Sequence, residues 1–125
     1  MFALLAAAGV LIAQAGSAAS LDNSAQDSDV AYAQLVAGET QAAITRLEAV
    51  LAENPGDPAI LINLGSAYVE LGDLDRAAAA YQAAASSEDR YLLELADGQW
   101  VDSRTAARRA LQTLETRGFA LNQHR

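Results

Sequence analysis

A chain of 125 residues holds material for one domain, and 52% of it is hydrophobic, much of that alanine, which favours close-packed helices over sheet. The net charge is −8 at pH 7, which argues against nucleic acid as a partner because phosphate contact needs a basic surface. The absence of cysteine removes disulfides, thiolate metal sites and thiol nucleophiles.

In chain order, residues 1–21 carry no charged side chain, and Phe2–Ala13 is an apolar run of signal-peptide length. Small residues from Ala13 to Ala19 follow it, which predicts a leader cleaved after Ala19 and a periplasmic or secreted mature protein. A membrane anchor over residues 2–19 is the rival reading, although Gln14, Gly16 and Ser17 interrupt the run early for a span. A buried first helix is the third. Residues 20–28 are polar and read as a flexible spacer.

Residues 29–90 contain an internal repeat. Gly38 and Gly72 lie 34 residues apart and their surroundings match in register, which divides the region into units of about 24–57 and 58–90. The second unit carries Leu61, Leu64, Gly65 and Tyr68, then Gly72, Ala77, Tyr81 and Ala84. Each has a physical reason: Gly65 lets a second helix approach the first, Tyr68 fills the gap between them, and Gly72 supplies a left-handed turn. Asp73 then caps the second helix, and Ala77 is small where a further helix packs. The first unit keeps Gly38, Ala43 and Leu47 and ends at Asn54-Pro55, but Asp27, Val30, Ala31 and Gln34 replace the large residue, Leu, Gly and Tyr of its first helix.

This pattern resembles the tetratricopeptide repeat family, in which a large residue, Leu-Gly and Tyr on helix A precede an Ala and an aromatic on helix B. The resemblance implies a mainly α fold, with two tandem helix hairpins forming a fragment of an α-solenoid. It also implies a peptide-binding groove on the A helices, falling here on Ala59, Ile62, Asn63, Ser66, Val69 and Glu70 of the second unit and Ser28, Tyr32, Leu35 and Val36 of the first. Asn63 stands where such proteins use an amide to bond the main chain of an extended peptide. The lysines with which some members clamp a terminal carboxylate are absent. Two stacked units bury too little surface alone, so a capping element has to follow.

Residues 91–101 read in two ways. Asp97-Gly98 between short β-prone runs predicts a hairpin with Tyr91, Leu93 and Leu95 on one face; a shortened helix ending at Gly98 is the alternative. Residues 102–118 then form a helix capped by Asp102 or Ser103 and stopped by Gly118, with a tail over 119–125. Ala107, Ala110, Leu111 and Leu114 make its apolar stripe, and Arg104, Arg108 and Arg109 point outward or toward the acidic body. Charge is divided accordingly: residues 1–103 hold fifteen acids and three arginines, residues 104–125 five arginines and one acid.

The inventory of reactive groups is short. His124 is the sole histidine and lies next to the C-terminus, and helix capping accounts for the Asp73/Asp75 pair. No catalytic residue, metal, cofactor or small-molecule substrate is expected. The reading that results is a non-catalytic scaffold of the bacterial cell envelope that binds a segment of another protein. The alternative is a self-associating module whose basic C-terminal helix docks on the acidic repeat body of a neighbour.

Overall fold

The computed structural model describes residues 31–95 and 97–123, with side chains through Gly118. The leader, the spacer, Asp27, Ser28, Val30 and His124 lie outside the described residues.

Helix α1, over residues 31–36, ends at Gly38, and α2 (Thr40–Glu53) follows it. Helices α3 (Pro58–Leu71) and α4 (Leu74–Ser86) repeat that arrangement around Gly72. Both glycines have φ of 85°, in the left-handed region that any other L-residue occupies with strain. The hydrogen bonds at the two turns also repeat. Gly38 N–H donates to Leu35 O and Glu39 N–H to Gln34 O at 3.1 and 2.8 Å; Gly72 donates to Val69 O and Asp73 to Tyr68 O at 3.0 and 2.9 Å. Each turn is therefore a Schellman motif, residue for residue 34 apart.

The helix starts are less uniform. Asp57 Oδ1 accepts from Ala59 N–H at 2.9 Å and Ile60 N–H at 3.3 Å, with Pro58 supplying the fixed φ of a first turn. Asp73 Oδ1 accepts from Arg76 N–H at 3.2 Å at the start of α4. Glu39, at the start of α2, makes no side-chain cap.

Between the units, α3 packs on α2 and α4, and α5 (Ser103–Gln123) packs on α4 and reaches α3. Helix α5 thus stands to α4 as α3 stands to α2. It occupies the place of a third A helix, with Ala107 and Leu114 buried and Ala110 and Leu111 partly buried against the common core. The helix does not stop at Gly118. That glycine has no positive φ, and the following Phe-Ala-Leu-Asn-Gln contains no breaker, so the chain remains helical to Gln123 at a cost of about 1 kcal/mol for the glycine.

The connector is a hairpin, with β1 (Leu92–Glu94) antiparallel to β2 (Trp100–Asp102) and Leu93 opposite Val101. Leu95 N–H donates to Gln99 O at 2.8 Å, Gly98 N–H to Leu95 O at 2.9 Å, and Gly98 has φ of 86°. The loop is consequently three residues long, with glycine in its left-handed position. Leu93 is fully buried and Leu95 partly buried, as alternation predicts, but Tyr91 is exposed.

The hairpin is tied to both neighbours. Tyr91 N–H donates to Ser103 Oγ at 3.1 Å and Ser103 N–H to Tyr91 O at 2.8 Å, and just before the hairpin Ser87 Oγ–H, at the end of α4, donates to Gly56 O of the α2–α3 loop. Asp102, which receives backbone N–H groups of Thr105 and Arg104, caps α5 and pairs through both oxygens with Arg90 at 3.2 and 3.0 Å. The Arg90 hydrogen bonds hold its carboxyl below the usual range. Arg104 does not reach an acid: its Nη2 donates to Ser87 O at 2.9 Å, where a cation satisfies a carbonyl at the C-terminal end of α4.

Candidate protein-binding site

The A helices carry the positions at which the resemblance places a peptide groove, and α3 is the central one. Its sequence alternates large and small residues around Gly65, and the helix closes on α4 there. A Cβ at position 65 would overlap the Tyr81 ring, meeting Cδ1 at 2.7 Å and Cζ at 2.8 Å. The ring is 1% exposed and its hydroxyl shares a 3.1 Å hydrogen bond with Ser66 Oγ. Burial pushes the Tyr81 phenol up to about 12, although the Ser66 bond acts in the opposite direction.

The tyrosine in the gap between α3 and α4 is therefore Tyr81 and not Tyr68. Tyr68 turns to the preceding unit, where its hydroxyl donates to Glu48 Oε2 of α2 at 3.2 Å and its ring lies 5.9 Å below the Arg76 guanidinium. Burial and the Glu48 carboxylate both raise its phenol. Tyr68 joins units where Tyr81 closes one. The spacing of the two tyrosines was visible in the sequence, but nothing in it assigned Glu48 as a partner.

The repeat positions otherwise lie where the 34-residue pattern puts them. Ala43, Leu47, Leu61, Leu64, Ala77 and Ala84 are all buried in one continuous core.

The groove candidates form a closed surface. Leu35, Ile62, Asn63, Ser66 and Val69 are 5, 1, 1, 1 and 8% exposed, Tyr32 and Ala59 are half-buried, and Glu70 and Val36 are exposed. At 100° per residue Asn63 projects from α3 nearly opposite Gly65, with Ile60 and Ala67 on the same side, and all three are buried. Ser66, spent on Tyr81, is structural. Asn63 differs from every other buried side chain on this helix, since its Oδ1 has no hydrogen-bond partner. Gln34, on α1, likewise has an unpartnered Oε1. A buried amide oxygen left unpaired costs about 1–3 kcal/mol, which sets these two groups apart from the apolar side chains around them.

The arrangement supplies acceptors and apolar surface. Among the described residues, no three His, Cys, Asp or Glu side chains come together to hold a metal, and no helix is long and apolar enough to cross a membrane.

A second surface escaped the sequence reading. The register of the hairpin puts Leu92, Glu94, Trp100 and Asp102 on its outer face, and Leu92 and Trp100 are 63% and 56% exposed. Pairing the strands around Asp97-Gly98 would have revealed this, because Leu93 and Val101 take the inward positions.

Comparison with known proteins agrees with this geometry. The family model for the tetratricopeptide repeat matches residues 34–91, which runs from the end of α1 through α4 to the edge of the hairpin. No curated protein and no solved structure matches the chain. Repeats of this kind generally mediate protein–protein interaction, and the family is typically a non-catalytic scaffold. Two Schellman turns in register, a glycine–tyrosine crossing and a stacked fifth helix around the matched segment agree with this similarity of residues 34–91 to the tetratricopeptide repeat.

Proposed function

We propose that this chain is an exported, non-catalytic adaptor of the bacterial cell envelope whose A-helix face takes an extended peptide segment of a partner protein. The carrying observation is Asn63, a buried carboxamide with no partner for its Oδ1. Extended peptide is a natural donor, because its main-chain N–H groups are not used internally. Entry requires the face to open, with Tyr32 and Glu70 at its accessible rim and Ile62 and Val69 supplying apolar contact. Export rests on the uncharged residues 1–21 and their apolar run.

Replacing Asn63 by leucine, similar in volume, tests the reading. Removal of an unpaired buried acceptor raises thermal stability by about 1 kcal/mol, while capture of envelope polypeptide by the tagged protein is lost. A more stable Asn63→Leu protein that captures the same polypeptide as the wild type refutes the peptide site. A Tyr32→Ala/Asn63→Ala double variant should lose capture as well. Export is checked separately by N-terminal sequencing of the periplasmic product, which should begin at Ser20; a product retaining residues 1–19 in the membrane fraction would favour the anchor.

A further inference from the structure

The described residues expose five large hydrophobic side chains, and three of them, Tyr91, Leu92 and Trp100, belong to the hairpin region. Leu92 and Trp100 share its outer face, with Trp100 directly opposite Glu94. A two-stranded sheet of three-residue strands gains little from its own pairing, and the large apolar side chains on its solvent side lie outside the core cluster. The rim is acidic: Glu88, Asp89, Glu94 and Asp97 are all exposed, while Arg90 is committed to Asp102 and Arg104 to the Ser87 carbonyl.

Helix α5 begins where β2 ends and has the opposite charge. Arg108, Arg109 and Arg117 are exposed, and none has an ion-pair partner among the described residues. An apolar centre with an acidic rim is thus joined in sequence to a helix that carries the adjacent, exposed Arg108 and Arg109. Within one copy no ion pair among the described residues joins Arg108 or Arg109 to the rim acids, and the inner face of α5 is packed on α4. Under a two-fold axis each hairpin can lie on the other copy's helix, and the pair of contacts closes on itself.

We propose that the outer face of the hairpin, Leu92 and Trp100 with the rim acids, is a self-association surface that receives Arg108 and Arg109 of α5 from a second copy of this chain. The surface is small and strongly charged, so the dimer is weak and sensitive to salt. It does not involve the groove positions on α1 and α3, and loss of peptide capture leaves it standing.

Sedimentation of the full chain across protein concentrations at low salt should show a monomer–dimer equilibrium that shifts to monomer on raising salt. Trp100 is the sole tryptophan, so its emission should move to shorter wavelength as the dimer forms. Trp100→Ala should weaken the dimer at least about tenfold, the effect of truncating a central aromatic anchor. The decisive test mixes charge reversals at exposed positions, which leave each fold intact by circular dichroism. Glu88→Arg/Glu94→Arg and Arg108→Glu/Arg109→Glu proteins should each be monomeric alone, since like charges then face each other. Mixed, they should recover a one-to-one dimer. A wild type that stays monomeric at several hundred micromolar in low salt overturns the proposal. So does a dimer unaffected by the reversals, or a mixture that fails to associate.

Discussion

The two repeat units solve one packing problem with different side chains. Where unit two brings Gly65 against Tyr81, the residues 34 positions earlier are Ala31 and Leu47, and both are fully buried in the same core. A missing methyl group on one helix is matched by an aromatic ring on the other; with the methyl present, the facing residue shrinks to leucine. The Gly38 and Gly72 turns meanwhile have the same φ and the same bonding pattern. The repeat therefore conserves backbone geometry and the summed volume at the helix crossing, and leaves the identities of the crossing residues free.

Putting the first unit's residue into the second breaks that balance most severely. Gly65→Ala places a methyl group inside van der Waals contact of a ring that cannot move, because Tyr81 is enclosed and bonded to Ser66. It should destabilise the protein by about 3 kcal/mol, read as a fall in thermal midpoint, despite the better helix propensity of alanine. Adding Tyr81→Leu rebuilds the Ala/Leu pair of unit one and should restore more than half of the loss. A double variant no more stable than Gly65→Ala alone would show that volume is not what the two crossings share.

That comparison also marks how much was legible in the sequence. The turns were, since only glycine accepts φ near 85° without strain and the 34-residue spacing paired the two positions. The small residues Gly65, Ala77 and Ala84 were legible for the same steric reason, and Asp97-Gly98 located the hairpin turn. The role of Tyr68 was not, because its partner Glu48 is twenty residues away and no local rule selects it. Gly118 was misleading: glycine permits a helix stop but does not compel one, and the residues after it favour helix. Nor could a heptad or a repeat position say that Ile62, Asn63, Ser66 and Val69 are covered. Burial depends on what lies across from a face, and the sequence of that face does not contain it.

A second contrast, in titration, follows from Tyr81 standing where unit one has leucine. The folded phenol ionises at about 12 because it is buried, whereas in the unfolded chain it ionises near its ordinary value of 10. Neutral phenol is thus the form that the fold favours. The corresponding stability is fully present below pH 10 and is lost as the pH rises from 10 toward 12, by roughly 2 kcal/mol. Thermal midpoints measured across this range should fall steeply for the wild type. Tyr81→Phe should flatten the alkaline limb while lowering the neutral-pH midpoint, since Ser66 Oγ loses its buried partner. Tyr68, also raised by burial, leaves a residual slope.

The smallest difference between the units is at their second helices. Glu39 and Asp73 precede α2 and α4 with nearly the same backbone, φ −88° and ψ 60° against φ −90° and ψ 80°, yet only Asp73 returns its carboxylate to the helix. The extra methylene of glutamate carries the oxygen past the N–H groups that aspartate reaches. Glu39→Asp should accordingly stabilise α2 by about 0.5–1 kcal/mol, and Asp73→Ala should cost about 1 kcal/mol at α4, both read from thermal midpoints. Hydrogen exchange separates a cap from a global change in stability. The cap reading requires that slowing in Glu39→Asp be confined to the first turn of α2, with α4 unchanged, because a capping bond satisfies only the orphan donors beside it. Uniform slowing across both helices would mean that the substitution acts through global stability or the unfolded chain, and the equivalence of the two turns would then end at the glycines.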